Sequence, residues 1–249
     1  FLLVPSVTQS FGVSALPSVT RAFQTGDSQK LKRTVEAVLR ITFLTALPMG
    51  VGLSVLAQPA ALLIYGARPG TVIVGRVLTT LGAASVFAAL CGPLNSILQA
   101  MGHVELPVVL TLIGLFVKAV LDYTLAAVPS VNVLGGAVGT LVCYALASVL
   151  ACIAIRRIAG VKIDFFSTFK KPFLASVCCG VAALLAHKAW CAVLPESRFS
   201  ALPAVFLGAL IYVVFLLIAR GICEEDIKAL PNGEKITKRL EKYLQKAGG

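Results

Sequence analysis

Apolar runs follow one another along the chain at about 1–23, 35–57, 77–101, 106–128, 133–155, 172–194 and 202–219, with short polar breaks between them. At about 1.5 Å per residue, each has the length of a helix crossing a hydrocarbon core of about 30 Å, for which about 17–25 residues serve. The pattern predicts an all-α fold: a polytopic membrane helix bundle of seven transmembrane helices, followed by a polar tail. The run 106–128, LPVVLTLIGLFVKAVLDYTLAAV, says most about function, because it carries Lys118 and Asp122 well inside its ends. These lie roughly 18 Å and roughly 24 Å from Leu106 along a helix. A charge at such depth costs at least ~2.5–3.5 kcal/mol on insertion scales, so it needs a partner or a wet cavity. Their i, i+4 spacing offers the partner. Thr111, Gly114, Lys118 and Asp122 fall within about 80° of one another at 100° per residue, making one polar stripe. Two readings stand: a self-satisfied pair that only orients the helix, or a stripe lining a water-filled path. The second is preferred.

The other runs differ in texture. The first is polar for a membrane helix, with Ser6, Ser10, Ser14 and Ser18 at successive i+4 positions and prolines at 5 and 17. Such a stripe packs on a neighbour or lines a cavity, packing being the commoner case. Gly26-Asp27-Ser28 reads as a turn and helix start. Pro48-Met49-Gly50 predicts a kink in the second run, Gln58-Pro59 its end, and 62–65 a stretch along the interface. The third run sets Gly92, Asn95, Ser96, Gln99 and His103 on one face. Buried amides demand partners, so this face should look at other helices or at water; His103, at a helix end, is interfacial and no ligand. The very short link to the fourth run predicts antiparallel neighbours whose polar stripes share a cavity. In the fifth run, Gly135, Gly136, Gly139 and Thr140 begin a small-residue seam suited to close helix packing.

Composition names the solvent as lipid: 58% of residues are hydrophobic and 13% charged, and the mean hydropathy is +0.92. The net charge of +11 would suit nucleic acid, but the cations sit in loops and tail, where topology and anionic lipid account for them. Sixteen of the 22 lysines and arginines fall on one side of the seven-span arrangement, which places the tail in the cytoplasm. Within that tail Ile236, Leu240, Tyr243 and Leu244 form an apolar edge among lysines. It reads equally as an amphipathic helix on an anionic leaflet or as a solvated tail. The seven cysteines make no C-x-x-C pair and no metal-like spacing, so they read as small buried hydrophobes. No nucleophile, metal set or phosphate-binding glycine loop is present, so neither a cofactor nor an enzyme is expected. The chain opens on Phe1 inside a hydrophobic segment without a methionine, which reads as a fragment lacking an N-terminal portion.

The ordered set LPSVTRAF (16–23), a Gly-Asp turn, LRITFLTALPMGVGL (39–53), ILQAMG (97–102), GLFVKAVLD (114–122) and GGAVGT (135–140) resembles the polysaccharide-exporter and lipid-flippase families. These belong to the multidrug/oligosaccharidyl-lipid/polysaccharide transporter superfamily. The tail EEDIKALPNG (224–233) resembles the stage V sporulation protein B-like branch. The resemblance implies spans eight to fourteen of a fourteen-helix transporter. Residues 1–158 would form five helices of the C-terminal lobe, 159–220 two additional helices and 221–249 a basic cytoplasmic tail, with the N-terminal lobe missing. It further implies flipping or export of an undecaprenyl-linked oligosaccharide by alternating access across a bacterial plasma membrane. Lys118, Asp122, Asn95, Ser96, Gln99 and Thr111 are then candidates for the substrate path. One departure stands out: Asp122 occupies a position where many relatives are expected to carry a neutral asparagine. A cation-coupled multidrug exporter, which needs an essential acidic residue, and a membrane scaffold for envelope or spore assembly are the alternatives.

Overall fold

The computed structural model describes residues 1–128, 133–160, 172–185 and 210. Among them the chain forms helices α1 (Leu3–Gln24), α2 (Ser28–Val55), α3 (Ala57–Tyr65), α4 (Thr71–Ala100), α5 (Leu106–Ala126) and α6 (Val133–Ala159), with α7 at Pro172–Leu185. No described residue is in a strand. α2, α4, the 106–125 part of α5 and α6 are long and apolar enough to cross a membrane. α1, at 22 residues, has the length; its serines, threonines and Gln9 keep its hydropathy below the others. Residues 161–171, the end of the sixth apolar run, the seventh run apart from Leu210, and the tail lie outside the described residues.

Local signals set the helix ends. The Asp27 side chain accepts from the Lys30 backbone N–H at 2.9 Å, capping α2 where the sequence places a helix start. Beyond the last turn of α4, Gly102 takes a positive φ of +87°. The His103 N–H bonds Leu98 O and the Gly102 N–H bonds Gln99 O, the paired closure that a left-handed glycine permits. α2 runs unbroken through Pro48-Met49-Gly50. Gln58-Pro59, expected as its end, instead lies in the first turn of α3, after α2 has closed at Val55.

α4 is the central helix, with α1, α2, α3 and α6 packed around it. The main core joins one end of these helices: Ala15 and Val19 of α1, Leu31, Val35 and Leu39 of α2, Leu94, Ile97 and Leu98 of α4, and Ala151 and Ile155 of α6. One expectation is corrected here. The short link between α4 and α5 does not make them packed neighbours; α5 lies on α6 and barely meets α4. The physical reason is surface shape. The glycine- and alanine-rich α6 fits between them, giving one face to α4 through Ala147, Ala151 and Ile155 and another to α5 at Gly139 and Cys143. A tight turn fixes direction, while the side chains choose the partner.

Candidate functional site

The polar stripe of α5 and the small-residue seam of α6 are two halves of one interface. Gly114 is buried against Cys143, where a Cβ would stand 2.9 Å from the carbonyl oxygen. One and two turns further, Lys118 and Asp122 form an ion pair through Oδ2. The carboxylate lies in the notch that Gly139 leaves by having no side chain; a Cβ there would run into Asp122 Oδ1. That same Oδ1 is buried and has no hydrogen-bond donor among the described residues. The two side chains keep 26% and 34% of their surface, so the pair sits at the edge of the interface, neither sealed nor fully wet. Lys118 is within electrostatic reach of Cys143 and Tyr144 on α6.

The remaining sequence candidates separate. Thr111 is exposed and spends its hydroxyl on Pro107 O at 2.7 Å. Ser96 is buried, donates to Gly92 O at 3.2 Å and faces Gly12 of α1, so it packs helices together. Asn95 is half-buried and Gln99 exposed, and neither amide hydrogen-bonds a described residue. Of the seam, Gly135 and Gly139 are buried, but Gly136 is exposed and a Cβ on it would meet nothing described within 4 Å. Thr140 donates to Gly136 O, within its own helix.

Asn95 and Gln99 point, at 100° per residue, between the α4 direction that faces α1 (Pro93, Ser96) and the one that faces α6 (Cys91). They form a polar floor flanked by two helices. Gln9 of α1 stands beside that floor, its Cα 3.5 Å from the position of a Cβ on Gly92. On α1 the exposed Ser6 and Ser10 lie about 60° and 100° around the helix from Gln9, and exposed Ser18 about 180° away. Apart from half-buried Ser14, the serine stripe is therefore turned outward from the described bundle. Gln9 belongs to the same polar surface and was missed in the sequence, where its signal was the LVPSVTQS pattern with Gln9 one turn from Ser6. Phe1 and Tyr144 of α6 bring their rings together, centroids 6.1 Å apart. Elsewhere, a cleft of about 660 Å³ between α2, α4, α6 and Phe173 is walled by apolar side chains such as Phe43, Leu47, Val86 and Val149. Ser54, Ser148 and Arg156 are the polar side chains in its lining. No group of metal-ligating side chains occurs among the described residues.

Helices of membrane-spanning length packed around a central one define a polytopic membrane helix bundle. The chain belongs to the lipid II flippase MurJ family, whose model matches residues 7–214. It is 24% identical over 237 residues to stage V sporulation protein B of Bacillus subtilis (strain 168), covering 92% of this chain and 43% of that protein. To the lipid II flippase MurJ of the same organism it is 24% identical over 161 residues, 64% of this chain and 29% of that one. A solved structure described as lipid II flippase MurJ in an inward closed conformation matches with TM-score 0.63 at 17% identity. That match covers 88% of this chain and 45% of the solved one, and it shows the helical membrane fold. The chain spans less than half the length of these relatives.

Proposed function

We propose that this chain is the C-terminal lobe of a flippase moving a lipid-linked oligosaccharide, a peptidoglycan or spore-cortex precursor, across a bacterial plasma membrane by alternating access. The observation that carries the reading is the open polar surface of Gln9, Asn95 and Gln99, whose side chains have no partner among the described residues. Amides left open on membrane-spanning helices are costly unless water or a polar ligand meets them. A sugar headgroup supplies many hydroxyl donors and acceptors, matching carboxamides that both donate and accept. Lys118 adds a cation for the diphosphate at the edge of the α5–α6 interface, and Asp122 holds that lysine in place. Rocking of this lobe against an N-terminal partner lobe would expose the surface to each side in turn. The basic loops and tail, on the cytoplasmic side in this reading, would rest on anionic lipid. We keep the division at 158 and 220 as part of the same proposal, the last two helices and the tail being additions to the lobe. The exporter reading needs a carboxylate free for a coupling cation, and Asp122 already has its counter-ion in Lys118.

The test uses the full-length protein in vesicles. Transfer of a lipid-linked oligosaccharide without transport of cationic dyes supports the proposal. Dye transport would replace it with the exporter, and movement of neither with the scaffold. Leucine at 9, 95 and 99 together should leave insertion intact and lower flipping at least tenfold. Unchanged flipping would remove the substrate from this surface.

A further inference from the structure

Proline at position 93 leaves a defect in the central helix. α4 runs through Pro93 without interruption, yet proline has no N–H, so Ala89 O loses the donor that residue i+4 normally supplies. In the hydrocarbon region an unsatisfied carbonyl finds no water, and proline is tolerated there only when a neighbour re-satisfies the freed group. Here the neighbour is Thr8 of α1, fully buried, whose Oγ1 donates to Ala89 O at 2.9 Å. Two other buried hydroxyls serve their own helix, Thr42 bonding Val38 O and Ser85 bonding Gly82 O. Thr8 reaches across to the helix that needs it.

Two further facts turn this bond into more than a pin. Thr8 has one hydroxyl proton and three carbonyls within reach. The others are Pro5 O at 3.1 Å and Val4 O at 3.3 Å, in its own helix. Those two already accept backbone N–H groups, so Ala89 O holds the strongest claim while α1 stays where it is. If α1 moves away, the hydroxyl has a local acceptor waiting and loses little. One turn along, Gly12 rides directly on the proline: a Cβ there would come within 2.7 Å of Pro93 Cα and 2.8 Å of Ser96 Oγ. A glycine on a proline, with no interlocking side chains, is a contact over which a helix can roll.

We propose that the Gly12–Pro93 crossing is the pivot between α1 and α4 and that Thr8 is its latch. Its proton passes from Ala89 O to the carbonyls of its own helix as α1 turns its polar face. Thr8 is thus a positioning residue for the surface that bears Gln9. The transport part rests on the proposed function, whereas the latch itself does not.

The experiment is a double-mutant cycle in the full-length protein, combining Thr8→Val with Pro93→Ala and keeping Thr8→Ser as the conservative variant. An alanine at 93 restores an N–H to Ala89 O and makes the threonine hydroxyl redundant. Thr8→Val should lower thermal stability in the native background and leave it unchanged beside Pro93→Ala, and Thr8→Ser should match the native protein. Equal losses in both backgrounds, or a double variant that fails to insert, would overturn the latch. The second readout is labelling of Ser6→Cys, exposed and about 60° around α1 from Gln9, by impermeant thiol reagents from each side of the membrane, with the native cysteines replaced. A latch that holds one state by a single hydrogen bond should, when cut, shift the ratio of labelling by about fivefold. A stability loss with an unmoved ratio leaves only a static pin and defeats the pivot. Failure of the full-length protein to move lipid-linked sugar would remove the proposed function and leave both readouts in force.

Discussion

Asp122 divides its two oxygens between a cation and a glycine notch, and the consequences of that division are measurable. Oδ2 is held by Lys118 four residues earlier, while Oδ1 is buried at Gly139 without a donor among the described residues. Lys118→Ala should therefore leave a carboxylate with no partner there at all. Loss of one member of a fully buried pair costs about 3–5 kcal/mol; because both side chains here remain partly exposed, about 1–3 kcal/mol is expected. Thermal unfolding of the detergent-solubilised protein should show that loss and its recovery when Asp122→Ala is added. A double variant that folds yet no longer flips would assign Lys118 to the substrate, whereas normal flipping would leave the pair structural. The pair itself was legible in the sequence, because i, i+4 spacing and intramembrane depth are properties of one helix. Its burial against Gly139 was not, because that requires knowing which helix comes alongside. For the same reason Ser96 and Thr111 read as path residues, though their hydroxyls go to Gly92 O and Pro107 O. A hydroxyl on a helix can always satisfy itself locally, and nothing in a spacing pattern reveals that it has done so.

Several helix starts and polar faces were also within reach of pattern reasoning, down to the Gly26-Asp27-Ser28 start of α2, while the end of α2 was misplaced at Gln58-Pro59. The partner of α5 lay beyond that reach. Residues 102–105 force α5 to run back antiparallel to α4, but the choice between α4 and α6 was made by the notch at Gly139 and the close approach of Gly114 to Cys143. Glycines consequently divide into those that hold helices together and those that merely occupy a turn of helix. Gly12→Ala should weaken the α1–α4 crossing, since the added methyl meets the Pro93 backbone, which cannot yield as a flexible side chain would. Gly52→Ala, in the same bundle, meets nothing described within 4 Å. Alanine is the better helix former there by up to about 1 kcal/mol. Thermal melts of the two variants should move in opposite directions. Equal destabilisation would mean that something other than close approach governs these positions.

At the scale of the whole molecule, the packed core gathers where α1, α4 and α6 end and α2 begins, beside Arg21, Lys30, Lys32, Arg33, Arg156 and Arg157. Apolar packing and basic residues thus mark the same end of the bundle, as expected if that end is anchored at a cytoplasmic surface rich in anionic lipid. The helices of spanning length, α1, α2, α4, α5 and α6, alternate in direction, which brings the α1–α2 turn, the α4–α5 turn and the end of α6 to that end. Single cysteines introduced into a variant lacking the native seven test this orientation. At Gln29 and at Asp164 they should react with impermeant reagents only from the cytoplasmic side, and at Ser197 only from outside. Gln29 reports on the described end of the bundle. Asp164 and Ser197 lie outside the described residues and test the continuation of the alternation that the hydrophobic pattern implies. Labelling of all three from the opposite sides would invert the charge argument while keeping the bundle. Reaction of Asp164 and Ser197 from the same side would instead show that the run 172–194 does not cross. α1, α2, α4, α5 and α6 would then be the spans that precede Ser197.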